Sequence, residues 1–355
     1  MAEILGLGLS HYPPLSLPDP QMAAILRMAL RDPGIPAEVK SPQNWPEAAR
    51  AEWGTDEGTS AAALHRAKLV EQFRKVRKAL DDFAPDVVLI WGDDQYENFK
   101  EDVIPPFTVC AYDDMDLYPW RHAMGSSMMS GKPNAWGEGP DKHYRLRGRR
   151  DVAKHLVGGL IESGFDMAYA YKPLHHESLA HAFTNAILYL DYDRVGWDYP
   201  TIAVPINCYG RKVISARGFM TDMGKELDLD PPGPSPARCM DMGAATGKIL
   251  RDSPWRVAVV ASSSWSHAFL CDRTWHMRPD TPSDHALYRA LQEQDYALWR
   301  DNSTEDFEAA GQQELLNWCP LLGAMEALGA KLDWSSFVET HVFNSNKVFA
   351  VYQTV

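Results

Sequence analysis

The chain alternates short, near-continuous apolar runs with longer stretches of helical period. The first run, residues 4–9, reads Ile-Leu-Gly-Leu-Gly-Leu and then meets Ser10-His11-Tyr12-Pro13-Pro14. Apolar residues broken only by glycine fit an interior strand, and the proline pair stops its ladder near His11. A second run at 86–91 ends in Gly92-Asp93-Asp94-Gln95. Runs at 200–207 and 257–262 share this character, and the latter opens onto Ser263-Ser264-Trp265-Ser266-His267. A shorter candidate strand, 166–171, leads into Lys172-Pro173-Leu174-His175-His176-Glu177. Between these lies helical spacing. In residues 60–83, Leu64, Ala67, Val70, Phe73, Val76 and Leu80 form one stripe, and Pro85 closes the helix. Further helices are expected at 21–31, 151–163, 182–190, 239–250, 282–300 and 305–328, whereas 32–53 and the proline-rich 231–236 read as loops.

Strand, helix and strand in that order make a βαβ unit, so the expected class is α/β. A mainly parallel or mixed central sheet would be flanked by helices, with the ligand site at the C-terminal ends of its strands. One domain spanning 1–355 is the simplest count. Residues 113–150 are irregular and rich in Gly, Pro, Met and aromatic residues, with a basic end at Arg145, Arg147, Arg149 and Arg150. A loop of that length is expected to be a lid or a subunit contact, and its basic end a solvated charge run.

Four strand ends carry ligand-type residues: His11, Asp93-Asp94-Gln95, His175-His176 and Ser266-His267. A rigid strand end holds an imidazole in one orientation, which suits metal ligation, although a lone histidine is more often a satisfied core or turn residue. Glu314 offers a carboxylate inside an expected helix. Spacing alone does not separate it from Glu305 or Glu308.

Charge and cysteine usage narrow the class. The 355 residues carry 35 basic and 48 acidic side chains, a net charge of -13. That argues against nucleic acid and anionic membrane as partners. No apolar run approaches the roughly 20 residues that span a bilayer, and the first residues lack a signal-peptide pattern. Cys110, Cys208, Cys239, Cys271 and Cys319 are scattered without a CxxC pair. Reduced thiols in a cytoplasmic enzyme are the expectation.

Taken together, these motifs resemble the class III extradiol dioxygenases, the superfamily of the large subunit of protocatechuate 4,5-dioxygenase. The resemblance rests on Ser-His-Tyr-Pro-Pro-Leu at 10–15, Val-Val-Leu-Ile-Trp-Gly-Asp-Asp-Gln-Tyr-Glu-Asn-Phe at 87–99 and Val-Ile-Pro-Pro-Phe at 103–107. It continues through His-His-Glu at 175–177, Val-Pro-Ile-Asn at 204–207, Ser-Trp-Ser-His at 264–267, Gln-Glu-Leu at 313–315 and Phe-Asn-Ser-Asn at 343–346. It implies one non-haem Fe(II), opening of a catechol-type ring by O₂, and aromatic compound catabolism. By the same resemblance His11 and Glu314 are metal ligands, His267 is the acid/base histidine and His176 is a second histidine lining the site. Homodimers, some with a small helical subunit, are also implied.

One position departs from the pattern. The second ligand histidine of the family aligns with Gln95. A set of His11, Gln95 and Glu314 keeps the net charge of a two-histidine, one-carboxylate site but binds Fe(II) more weakly, because an amide oxygen is a poorer donor than imidazole. If Asp94 or Asp93 turned in instead, Mn(II) or another hard divalent cation would gain. The alternatives are a metal-dependent hydrolase or lyase with a redox-inert ion, and a catalytically silent partner subunit.

Overall fold

In the computed structural model, which describes residues 2–121, 131–213 and 228–355, the apolar runs form the middle of one sheet. The strands in chain order are β1 (Ile4–Leu9), β2 (Val87–Asp93), β3 (Thr108–Cys110), β4 (Met115–Leu117), β5 (Tyr144–Leu146), β6 (Ala168–Ala170), β7 (Thr201–Ile206), β8 (Val257–Ser262), β9 (Leu332–Val338) and β10 (Lys347–Tyr352). Six of them make the main sheet, in the order β7-β2-β8-β1-β10-β9. The first four run parallel, β10 is antiparallel to β1, and β9 is antiparallel to β10. A mixed, mainly parallel sheet in an α/β fold is what the patterning implies. Because β1, β2, β7 and β8 point the same way, their C-terminal ends share one edge of the sheet.

The longer helices are α1 (Thr59–Phe83), α2 (Arg150–Glu162), α3 (His181–Leu190), α4 (Pro236–Arg251), α5 (Thr281–Glu293) and α6 (Trp318–Leu328). Helices α1 and α3 cover one face, where Phe73 packs edge-on against Phe349 and tilts onto Tyr189, with ring centroids 5.0 and 5.4 Å away. Burying a phenylalanine in such a layer stabilises by about 2 kcal/mol. Helices α2, α4 and α6 cover the other face. The glycines of β1 belong to that packing, since a Cβ on Gly8 would overlap the Trp318 ring of α6.

Several elements differ from the patterning. In α1 the buried stripe is Ala62, His65, Leu69, Phe73, Val76 and Leu80, while Leu64 is 69% exposed and Ala67 lies outside as well. The core side of the first two turns carries His65, a polar residue that hid the true phase. Residues 32–53 hold two short helices, Ala37–Lys40 and Glu47–Trp53. The helix expected at 282–300 stops at Glu293, where Gln294 turns left-handed, and resumes at Tyr296–Asp301. The one expected at 305–328 divides into Thr304–Ala309, a 3₁₀ turn Gln313–Asn317, and α6.

Strand β6 is a short strand outside the main sheet. Among the described residues it pairs only with β3, and Tyr169 at its centre is 52% exposed. The end of that strand therefore does not join the shared edge. Within 113–150, β4 and β5 form an antiparallel pair, and residues 122–130 of that segment lie outside the described residues. All five cysteines are free and buried. No helix among the described residues is long and apolar enough to cross a membrane.

Candidate metal and catalytic centre

His11 follows β1 by two residues and is fully buried. Its Nδ1 lies 3.2 Å from the Ser262 hydroxyl at the end of β8. That hydroxyl donates its single hydrogen to the Ala182 carbonyl at 2.9 Å, so it accepts from Nδ1. The tautomer is thereby fixed, and Nε2 is left with a bare lone pair and no hydrogen-bond partner among the described residues. Around Nε2 stand a Glu314 oxygen at 3.4 Å and an Asp93 oxygen at 3.7 Å. A lone pair facing two carboxylates in a buried site is repulsive unless a cation, or protons, lie between them.

Glu314 reaches this point because the chain breaks before it. Gly311 takes a left-handed conformation (φ 70°), and a Cβ there would run into the His267 carbonyl oxygen. Its own carbonyl accepts the His267 backbone N–H at 2.7 Å. The 3₁₀ turn that follows points Glu314 inward. One carboxylate oxygen accepts the Tyr209 hydroxyl at 2.5 Å and lies 3.2 Å from His267 Nε2; the other accepts the Ser264 N–H at 3.2 Å.

Asp93, the last residue of β2, has its own supports. The Asn317 amide donates to it at 3.0 Å, and the Cys208 thiol donates to the Asn317 carbonyl oxygen, which fixes the amide's orientation. The Tyr209 hydroxyl, three residues beyond β7, stands 3.2 Å from the second Asp93 oxygen. Asp94 serves the backbone instead, accepting N–H groups of Glu97, Asn98 and Phe99. Burial pushes its carboxyl up to about 6.

That loop carries Glu97 to the head of α3. Its carboxylate takes the ring Nδ1 of His181 at 2.5 Å and the His181 backbone N–H at 2.9 Å. The ring of His181 meets that of His11 edge-on, with centroids 5.1 Å apart. His11, Asp93 and His181 each offer a donor atom, and all three atoms lie within 4.8 Å of one another, a possible metal site.

The electrostatics are those of a site that asks for positive charge. Burial, then Asp93, raises the Glu314 carboxyl well above the usual range, and burial raises that of Asp93. Burial, then His181 and His267, holds the His11 imidazole well below its ordinary value. Burial, then Lys347 and His181, brings His267 down to about 3. Burial also pulls on His181, but the Glu97 carboxylate outweighs it and pushes that ring up to about 10.

Of the residues singled out in the sequence, His11, Glu314 and His267 come together here. The Gln95 amide oxygen stands 3.4 Å from the Tyr209 hydroxyl, with that hydroxyl between it and Glu314. His176 is half-buried on the loop before α3, its Nδ1 against the backbone of Ser178. His175 is exposed and pairs with Asp102. The sequence singles out none of Tyr209, Asn317 and Glu97, reads His181 as packing or support around the site, and offers Asp93 only as a substitute ligand. His181 did carry a signal, a polar residue at the head of a helix that is otherwise almost wholly apolar. Tyr209 and Asn317 carried none, since their neighbours come from distant parts of the chain.

Residues 229–350, which include His267 and Glu314, match the family model of the catalytic LigB subunit of aromatic ring-opening dioxygenase. The chain resembles the LigB-type class III extradiol dioxygenases. Among curated relatives, the 2,3-dihydroxyphenylpropionate/2,3-dihydroxicinnamic acid 1,2-dioxygenase of Photorhabdus laumondii is 24% identical over 199 residues, 55% of this chain and 47% of the relative. A second protein of that name, numbered 2, from Pseudomonas putida is 24% identical over 201 residues, covering 56% and 49%. That of Comamonas testosteroni is 25% identical over 236 residues, covering 66% and 58%. The LigB-like chain thus spans about half the length of the first two curated relatives it matches. His11 and Asp93 lie outside the segment matched by the family model, and it is the fold that brings them to it.

Proposed function

We propose that this protein is a metal-dependent extradiol-type dioxygenase that opens a small dihydroxylated aromatic ring with O₂. The observation that carries the reading is the buried, bare Nε2 of His11 set between the Glu314 and Asp93 carboxylates. His11 and Glu314 would hold the ion, with Asp93 as the third donor and Gln95 as the alternative. Neutral imidazole and two carboxylates would leave the protein and a divalent ion with no net charge. That composition is compatible with Fe(II) and lenient toward Mn(II).

When bound, the ion supplies Lewis acidity toward a ring hydroxyl and the redox chemistry that O₂ requires. The chain's own residues do the rest. His267 presents Nε2 to Glu314, and its buried Nδ1 has no partner among the described residues, so that atom is assigned to accept a ring-hydroxyl proton and return it later. Tyr209 donates to one Glu314 oxygen and orients the carboxylate, so that the other oxygen faces His11 Nε2. His181, locked through Nδ1 by Glu97, directs Nε2 at the centre. His176, further up the same loop, is assigned to the outer part of the substrate.

Anaerobic loading with Fe(II) followed by oxygen uptake on catechol, gallate and aminophenol tests the reading. One O₂ consumed per ring opened is expected, with His267→Ala lowering turnover far more than metal content. Metal-loaded protein that takes up no oxygen on any ring would refute it. The two buried carboxylates favour one second reading, a hydrolase or lyase using a redox-inert ion, which would bind metal and consume no O₂.

A further inference from the structure

Three sequence motifs supply side chains that the chemistry above leaves idle: Ser266 of Ser-Trp-Ser-His, Gln312 beside Gln-Glu-Leu, and Asn346 of Phe-Asn-Ser-Asn. All three end on one carboxylate. Asp284 lies in the first turn of α5 and is fully buried. One of its oxygens accepts the Ser266 N–H at 3.1 Å and the Gln312 amide at 2.7 Å. The other accepts the Ser266 hydroxyl at 2.5 Å and the Asn346 amide at 2.8 Å. No Lys or Arg pairs with it among the described residues.

A carboxylate taken out of water costs several kcal/mol unless its lone pairs are met, and here four donors from three separate segments meet them. Two of the segments carry a part of the centre, and the third backs one of them. Ser266 immediately precedes His267. Gln312 lies between Gly311, whose carbonyl holds the His267 backbone, and Glu314. Asn346 accepts the Trp265 N–H at 3.0 Å through its carbonyl, closing the ring of contacts behind His267.

We infer that Asp284 is a positioning residue that sets the spacing of His267 against Glu314 without touching either. The 3.2 Å separation of His267 Nε2 from Glu314 depends on two segments that meet at this carboxylate. Loss of its charge-assisted bonds frees the 311–314 segment on one side and the 264–267 segment on the other.

The inference rests on the reading that Glu314 binds the ion, and the test separates the two. The full chain is titrated with Co(II) as probe, read by calorimetry and by the visible spectrum of the bound ion, beside thermal melting of the metal-free protein. Wild-type protein that takes up no Co(II) overturns the metal reading and this inference with it. Given wild-type binding, Asp284→Asn is expected to weaken Co(II) about tenfold and to shift its spectrum in the folded fraction. Gln312→Met, which loosens the Glu314 segment alone, is expected to shift the same spectrum by less, with a melting temperature close to wild type. A merely structural role would lower melting and leave the spectrum untouched. Wild-type affinity and spectrum in the variants therefore overturn the positioning role, and Gln312→Met decides alone if Asp284→Asn does not fold.

Discussion

Two histidine–carboxylate pairs in this molecule invite comparison. His175 and Asp102 approach to 2.8 Å at the surface, while His11 and Glu314 stand 3.4 Å apart in the interior. By distance the surface pair is the better ion pair. In the interior pair, however, the imidazole proton is committed to Ser262, so Nε2 can only accept, and both side chains are buried, where a charge is poorly screened. A site is marked by desolvation and a locked tautomer more than by closeness.

The largest expected effect sharpens that contrast. His11→Ala should weaken Co(II) or Mn(II) binding by about a hundredfold or more, whereas His175→Ala should leave it within the error of calorimetry. Equal losses in the two variants would erase the distinction. Next is Glu97→Gln, which replaces the charged acceptor on His181 Nδ1; metal affinity should fall by roughly tenfold, with little change in melting temperature. Gly311→Ala should destabilise the fold by roughly 1–3 kcal/mol, since alanine must take a left-handed φ against the His267 carbonyl; urea unfolding measures it.

The smallest effect belongs to the surface pair. The hydrogen bond from His175 lowers the Asp102 carboxyl below its ordinary value. A depressed acid contributes stability above its unfolded pKa and loses it as pH falls through the folded one. Asp102→Asn should therefore melt marginally below wild type at pH 7, with the gap closing in acid below the usual carboxylate range. A large gap at neutral pH would mean that exposure does not weaken the pair as supposed.

The same contrast explains what was legible in the sequence. Strands β1, β2, β7 and β8 could be read as buried on both faces because each is a near-continuous apolar run, and the α/β class follows from their alternation with helices. The sequence did not separate β6 from them, because a six-residue run reads alike whether it is central or forms a short outlying pair. The phase of α1 was hidden by His65, a polar residue on its core side. The expected helix through Glu314 breaks at Gly311, where the close approach of His267 demands glycine; a tertiary contact leaves no local trace. His181 reads as packing or support for a related reason: it enters from the head of a helix, away from the strand ends that carry the other ligand-type residues. Asp94 and Asp93 are both substitute ligands by sequence, yet the Asp94 oxygens are taken up by the turn that carries Glu97 to His181.

The central claim is that His11, Asp93 and Glu314 share one cation. Anomalous scattering from crystals loaded with Mn(II) tests it most directly. One peak per chain is predicted, in coordination contact with His11 Nε2 and with a carboxylate oxygen of both Asp93 and Glu314. An ion bound elsewhere, or one whose ligands exclude His11 or Glu314, would contradict the account.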